Sequence, residues 1–231
     1  MSSTIAVVGA GPGLGRAIAR RFGAAGHPVA LISRSRAKLQ PIADSLAAEG
    51  ITAGVYPADV TDGAGLTAAL EAAAADLGRI GVLSYSPAPA WDHSAGPVPD
   101  TAAMGFTAAL ETTPESARAQ VDLIVGGALT AAAAVLPAMR KERDGALLFT
   151  TGASAIIPIP LLGNAGIAQA GLRHWASSIQ GDLAAEGVYV GHVCVGVPII
   201  PGGGEGDPDA IADRWYQLAQ ARDTFETTIG F

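Results

Sequence analysis

One pattern near the start of the chain restricts its fold more than any other. A short apolar run, Ile5–Val8, predicts a buried strand, and Leu14, Ile18 and Phe22 follow at helical spacing. Glycines occupy positions 9, 11, 13 and 15 between them. Strand, glycine turn and helix together predict the first βα unit of a dinucleotide-binding domain, whose helix offers free N–H groups to a pyrophosphate. A tight βα turn without any ligand is the competing interpretation.

The second predicted strand, residues 28–33, ends where the residue that reads the ribose is expected. Arg34 and Arg36 stand there. A guanidinium pairs with a 2′-phosphate through two hydrogen bonds, whereas NAD-binding proteins usually place a carboxylate at this point. The pattern therefore favours NADP(H) over NAD(H), and the alternative for both arginines is a solvated helix start.

Composition narrows the class of protein further. The 231 residues are 49% hydrophobic and 15% charged, which suits one large α/β domain covering residues 1–231. The net charge of -7 argues against nucleic acid as the main partner. A single cysteine, Cys194, excludes an internal disulfide, and with no signal peptide visible a cytoplasmic protein is expected. The apolar stretches 123–139 and 145–172 are rich in glycine, alanine or proline, which favours a protein core over a membrane span.

Strand and helix signals alternate along nearly the whole chain. Strands are predicted at residues 5–8, 28–33, 52–57, 80–86, 146–151 and 189–195. Helices are predicted at residues 14–25, 36–49, 63–77, 114–141, 165–186 and 207–224, with a short helix around 101–110. This alternation predicts a Rossmann-type, doubly wound parallel sheet in a single domain. The loops after the strands then line one cleft at the carboxyl ends of the sheet.

With these loops laid out, the chain resembles the short-chain dehydrogenase/reductase family over essentially its full length. The glycine motif ending in Gly13-Leu14-Gly15 and the pair Asp59-Val60 carry the resemblance. It implies a nicotinamide dinucleotide cofactor and hydride transfer at a carbonyl or alcohol. The residues implied to hold the cofactor are Gly9, Gly13, Leu14, Gly15, Ser33, Arg34, Arg36, Asp59, Val60, Ser86, Gln169, Val197 and Ile199.

The proton-transfer residues of that family are missing. The family uses a tyrosine as acid and base, a lysine four residues later that lowers the pKa of the tyrosine, and a serine that positions the oxygen. Alignment places Ala165 at the tyrosine, Gln169 at the lysine and Gly152 at the serine. No Tyr-xxx-Lys occurs anywhere in the chain, so a shift of the alignment does not restore it.

Four residues remain as weak candidates for catalysis: Tyr85, His93, Thr151 and Ser154. Tyr85 ends a predicted strand at the cleft, although a packing role is the competing interpretation. His93 lies on a loop and has a natural pKa suited to acid–base work. The hydroxyls of Thr151 and Ser154 can bond a substrate oxygen, but without a base they are not nucleophiles. His192 is predicted to be structural, and no metal-ligand cluster is visible.

Three functions remain open on the sequence. The favoured one is an atypical NADP(H)-dependent oxidoreductase that reduces a carbonyl, enone or imine in a hydrophobic small molecule. The others are an NADP(H)-binding regulatory protein without chemistry, and a non-redox isomerase, dehydratase or cyclase on the same fold. The resemblance also implies a homodimer or homotetramer that associates through the long helices 114–141 and 165–186.

Overall fold

Seven parallel strands form one sheet in the computed structural model of this protein, which describes residues 2–87, 101–102 and 104–231. The strands are β1 (Thr4–Val8), β2 (Val29–Ser33), β3 (Ala53–Pro57), β4 (Ile80–Tyr85), β5 (Gly145–Gly152), β6 (Val188–Val195) and β7 (Glu226–Ile229). Their order in the sheet is β3-β2-β1-β4-β5-β6-β7. The chain therefore winds one way from β1 to β3 and the other way from β4 to β7. A crevice opens where the order reverses, between β1 and β4.

Helices cover both faces of the sheet. They are α1 (Leu14–Ala24), α2 (Arg36–Ala48), α3 (Gly63–Leu77), α4 (Pro114–Val121), α5 (Gly127–Glu142), α6 (Gly163–Ala185) and α7 (Pro208–Ala221). Buried Phe22 and Trp215 belong to the core between the sheet and α1, α2 and α7. Phe149 and Leu172 belong to the opposite core, which α3, α5 and α6 cover. The central strands are therefore buried on both faces, as in other doubly wound parallel sheets.

The predicted doubly wound sheet is confirmed, with two local corrections. The four-residue strand β7 was missed, because Glu226–Ile229 contains two threonines and a glutamate and gives little apolar signal. The helix expected around 101–110 was wrong, because the described residues there form turns and one 3₁₀ turn at Ala109–Glu111. At α7, Asp207 caps the helix as expected by accepting backbone bonds, and Pro208 is its first residue.

The long helix predicted at 114–141 contains an irregular turn. A π-helical turn, Asp122–Gly126, separates α4 from α5. The buried phenol of Tyr85 donates a hydrogen bond of 2.6 Å to the carbonyl oxygen of Leu123 in this turn. Gly127 lies directly against the phenol, since a methyl group there would overlap Tyr85 Oη and lie 2.9 Å from Val60 O. The missing side chain at Gly127 thus makes room for the phenol.

Within the described ranges, the continuous helix Pro114–Glu142 is long and apolar enough to cross a membrane, by length and composition only. Its buried residues include Ala128, Ala131 and Val135, which belong to the core on the α3 side of the sheet. A core helix of this kind passes the same length and composition test. Packing in the core accounts for only part of the apolar composition, because 33% of the most apolar stretch of this helix is buried.

Two neighbouring glycines give a matched test of the Tyr85 contact. We expect Gly127→Ala to lower the free energy of unfolding by about 1–3 kcal/mol, because the methyl group overpacks the core. Gly126→Ala places its methyl group 3.7 Å from Val121 O, an ordinary contact, and gains helix propensity. Urea denaturation followed by circular dichroism measures both variants. Equal stability of the two variants would contradict the packing described for Tyr85.

Candidate functional site

The glycine loop after β1 contains two glycines that the fold itself requires. Gly9 has φ +92°, and a Cβ there would lie 2.7 Å from the backbone of Ser86 and Pro87 after β4. A Cβ on Gly15 would lie 2.8 Å from the Cα of Ala10, so α1 could not approach the loop as closely. At both positions a larger residue would clash with the protein's own backbone, so the fold alone requires these two glycines.

The other two glycines of the loop face open space. A Cβ on Gly11 or Gly13 would meet no atom within 4 Å. Gly13 is the N-cap of α1 and makes no side-chain hydrogen bond to it. The backbone bonds begin with Arg16 N–H donating to Gly11 O (2.9 Å) and Ala17 N–H donating to Gly13 O (3.2 Å). The amides of Gly9 and Ala10 donate to Ile32 O. The amides at the start of α1, together with the positive end of the helix dipole, are left to a ligand, so the loop fits a pyrophosphate.

Positive charge lies at the carboxyl end of β2. Ser33 ends the strand, and the exposed Arg34 follows without a hydrogen bond among the described residues. Arg36 is also exposed and donates a bond of 3.3 Å from Nη2 to Val55 O. The guanidinium of Arg34 is thus the freer of the two to meet an anion.

The predicted adenine contact, Asp59-Val60, follows β3 in the next loop along the sheet. Asp59 Oδ1 accepts bonds from Thr61 N–H (2.9 Å) and Thr61 Oγ1 (2.8 Å), and Val60 is buried. The bonds from Thr61, together with the charge of Arg34, lower the pKa of the Asp59 carboxyl. Asp59 is therefore ionised at neutral pH, and its second oxygen stays available.

A cleft of about 270 Å³ lies at the carboxyl ends of β4, β5 and β6. Ile124, Leu172 and Val195 contribute to its largely apolar walls. The structure brings together here the predicted residues Leu14, Tyr85, Ser86, Thr151, Gln169, Val197 and Ile199. Leu14 is also the first residue of α1, so the cleft continues from the glycine loop into an apolar chamber.

The remaining predicted residues lie outside the lining of this cleft. The adjacent glycine loop and the start of α1 contain Gly9, Gly13 and Gly15. The carboxyl ends of β2 and β3, and the loops that follow them, carry Ser33, Arg34, Arg36, Asp59 and Val60. Ser154 is buried behind Gln169 and bonded to it. His93 lies outside the described residues.

Tyr85 lines the cleft, but its hydroxyl is already used. Only 1% of the residue is exposed, and Oη donates to Leu123 O. Burial raises the pKa of the Tyr85 phenol, and the charge of Asp59 raises it further. The geometry favours the packing role for Tyr85 over proton donation.

At the position that resembles the family lysine, Gln169 is fixed by two hydrogen bonds. Its Oε1 accepts from Gly152 N–H and from Ser154 Oγ, each at 2.9 Å. The amide nitrogen, Nε2, makes no hydrogen bond within the described chain and remains available as a donor at the cleft. Ala165, at the position that resembles the tyrosine, is fully buried and offers no polar group.

Thr151 contacts a histidine that the sequence did not place beside it. Its Oγ1 lies 2.8 Å from Nε2 of His192, and Nδ1 of His192 lies 3.0 Å from Oε2 of Glu226. Arg173 holds Glu226 in turn through two contacts, one of them 2.9 Å from Nη2 to Oε1. The interpretation of Thr151 as a hydroxyl without a base is therefore wrong. His192 and Glu226 are 34 residues apart in the sequence. They lie side by side because β7, the strand that the sequence analysis missed, pairs with β6.

The protonation state of this chain of residues follows from its surroundings. Burial lowers the pKa of the His192 imidazole, although the neighbouring Glu226 opposes the shift. The hydrogen bond from Arg173 lowers the pKa of the Glu226 carboxyl, which is therefore ionised and only accepts. Neutral His192 accordingly carries its proton on Nδ1, facing Glu226, and its Nε2 accepts from the Thr151 hydroxyl.

No group of three or more His, Cys, Asp and Glu side chains that could hold a metal ion occurs in the part of the chain that the structure describes. The polar side chains that line the cleft instead carry hydroxyl and amide groups.

Comparisons with known proteins agree with this architecture. A family model described as short chain dehydrogenase matches residues 3–198. The 2-(S)-hydroxypropyl-CoM dehydrogenase 3 of Xanthobacter autotrophicus is 25% identical over 204 residues, which are 88% of this chain and 74% of that protein.

Two solved structures illustrate the likeness of the fold. A short-chain dehydrogenase from Rhodopseudomonas palustris superposes with a TM-score of 0.82 at 25% identity, over 98% of this chain and 97% of that one. The L-sorbose reductase of Gluconobacter frateurii, solved with NADPH and L-sorbose, has a TM-score of 0.83 at 18% identity. The alignment covers 99% of this chain and 95% of that one.

Proposed function

The chain belongs to the short-chain dehydrogenase family, and we propose that it is an NADP(H)-dependent oxidoreductase acting on a carbonyl, enone or imine of a hydrophobic small molecule. The observation that carries the proposal is one continuous surface along the sheet edge. It runs from the uncapped start of α1, past the open space at Gly11 and Gly13, into the apolar cleft beside Gln169 and Thr151. A dinucleotide suits such a surface, because its pyrophosphate can lie at the start of α1 while one of its ends reaches the cleft.

In this proposal the start of α1 holds the pyrophosphate, Asp59 and Val60 hold the adenine, and Arg34 pairs with the 2′-phosphate. The preference for NADP(H) is supported by Arg34 and Arg36 after β2, where NAD-binding proteins usually carry a carboxylate. The similarity in fold to a reductase solved with NADPH also supports a preference for NADP(H). When bound, the dinucleotide supplies a hydride to an electrophilic carbon.

The protein's own contribution is to hold the substrate and exclude water. The apolar walls around Leu172 and Val195 favour a hydrophobic substrate. Two residues that line this cleft carry polar groups: the hydroxyl of Thr151 and the amide nitrogen of Gln169. Together they orient a carbonyl oxygen, which fixes the face of the substrate that is turned toward the nicotinamide end of the cleft.

A second candidate function is an NADP(H)-binding protein without chemistry. The observation that favours it is the loss of polar groups at Ala165 and Gly152, the positions that resemble the catalytic tyrosine and serine. In that case the cleft is a binding site only, and a contact with another protein reads out the bound nucleotide.

We also propose that the protein is cytoplasmic and forms a homodimer or homotetramer through the two long helices. Leu129 on α5 is 42% exposed and Ile167 on α6 is 55% exposed, so both helices present apolar side chains to their surroundings. An apolar contact between copies would remove these side chains from water.

Association can be tested at Leu129. We expect Leu129→Glu to shift the mass measured by light scattering toward the monomer, because a charge is buried in the contact. Leu110→Glu is the control, since Leu110 is fully exposed and lies outside both helices. Wild-type protein that is monomeric at all concentrations would contradict the proposal.

Cofactor choice can be tested by fluorescence titration with NADPH and NADH. Wild-type protein is expected to bind NADPH more tightly, and Arg34→Ala to weaken NADPH binding about 10–100-fold with little effect on NADH, because a charged hydrogen-bonded pair is lost. Arg20→Ala is the control, since Arg20 pairs with Glu49 on the surface. Equal affinities for the two cofactors in the wild type would refute the NADP(H) preference.

Catalysis itself is tested with a panel of hydrophobic ketones, enones and imines. We expect NADPH to be consumed with at least one class of substrate, because the cleft holds both an apolar chamber and a polar anchor for an oxygen or nitrogen. Tight NADPH binding without turnover across the panel would overturn the oxidoreductase and favour the binding protein.

A further inference from the structure

We propose that Thr151 exchanges a proton with the substrate, with His192 as its acid and base and Glu226 as the group that positions His192. This inference rests on the proposed oxidoreductase function and assigns the proton-transfer residues that the sequence left open. It concerns three side chains on the adjacent strands β5, β6 and β7.

The three side chains form one continuous chain of hydrogen bonds from the cleft inward. Thr151 lines the cleft and contacts His192 Nε2 at 2.8 Å. His192 is fully buried, and its other nitrogen contacts Glu226 Oε2 at 3.0 Å. Arg173 from α6 completes the chain by pairing with both oxygens of Glu226. Every nitrogen of the imidazole therefore has a defined partner, and the end of the chain that meets the cleft is a hydroxyl.

The order of donors and acceptors suits proton transfer. Ionised Glu226 accepts from Nδ1–H, which leaves the lone pair of Nε2 directed at the Thr151 hydroxyl. An adjacent base of this kind is what activates an otherwise inert hydroxyl. The negative charge of Glu226 also stabilises the imidazolium that forms when His192 takes a proton, as a carboxylate does in hydrolase triads.

The same residues can carry the proton in oxidation and in reduction. When an alcohol is oxidised, its hydroxyl proton passes to Thr151 Oγ1 while the proton of Thr151 passes to His192 Nε2. A bound nucleotide would accept the hydride that the carbon gives up. His192 leaves this step as imidazolium. In reduction the imidazolium returns one proton through Thr151 to the substrate oxygen and becomes neutral. After the product leaves, Thr151 and His192 exchange protons with water in the open cleft.

The charged and titratable groups around His192 define its pH dependence. Glu226 on β7 favours the imidazolium, Arg173 on α6 disfavours it, and the buried thiol of Cys194 lies on the same strand. Burial dominates these effects and lowers the pKa of His192. The rate of oxidation, which needs neutral His192, is therefore expected to rise with pH and to reach a plateau above that pKa. The rate of reduction, which needs the imidazolium, is expected to fall over the same pH range.

The first test needs no substrate and uses the ¹⁵N NMR signals of the histidine side chains in the full-length protein. We expect neutral His192 with its proton on Nδ1 at pH 7, and a shift of its Nε2 signal in Thr151→Val. Thr150→Val is the matched control, because Thr150 bonds Trp215 rather than His192. His192→Gln assigns the signals among the four histidines. A proton on Nε2, or a His192 signal unchanged by Thr151→Val, would overturn the proposal.

The second test measures kcat and KM with a substrate from the panel above. Thr151→Val is expected to lower kcat about 100-fold or more with a much smaller rise in KM, and Thr151→Ser to restore most of kcat. His192→Gln is expected to remove the pH dependence, which gives an independent result where Thr151→Val does not fold. Turnover that Thr151→Val leaves intact would overturn the relay alone, whereas wild-type protein without turnover would overturn the proposed function as well.

Discussion

The close contact between Gly9 and the end of β4 determines where this protein can bind a ligand. The two strands β1 and β4 are neighbours, yet their following loops turn to opposite faces of the sheet. The backbones can pass at this distance only because Gly9 lacks a side chain and adopts φ +92°. The crevice beside this contact is bounded by the start of α1 on one side and by the cleft at the ends of β5 and β6 on the other. The proposed phosphate site and the proposed substrate site therefore depend on the same contact.

Tyr85 connects the core of the sheet with the wall of that cleft. Its ring ends β4, while its hydroxyl bonds Leu123 O in the π-helical turn between α4 and α5. The phenol thereby anchors this turn to the end of β4. Gly127 provides the space for this bond. A residue that looks catalytic by its place at a strand end thus serves to hold the helix that forms one side of the cleft.

Local patterns in the sequence were sufficient for the fold, and they are the basis of the proposed cofactor site. The strand, glycine turn and helix at residues 5–22 are contiguous, and apolar periodicity marks the buried strands. The pairing of Thr151 with His192 and Glu226 could not be predicted in this way. It depends on β7, a short strand without apolar periodicity, and on partners separated by 41 and 34 residues. A buried histidine looks structural until the strand that carries its carboxylate is placed beside it.

The proposed relay also explains why a neutral glutamine is compatible with chemistry at position 169. A tyrosine titrates near 10 and needs a nearby positive charge to work at neutral pH. A threonine hydroxyl gains nothing comparable from a lysine, because it stays un-ionised and must receive one proton as it gives up another. That exchange needs a base in direct contact, which is the role of His192. Gln169 is then free to hold Gly152 and Ser154 in place with its oxygen and to offer its nitrogen to the ligand.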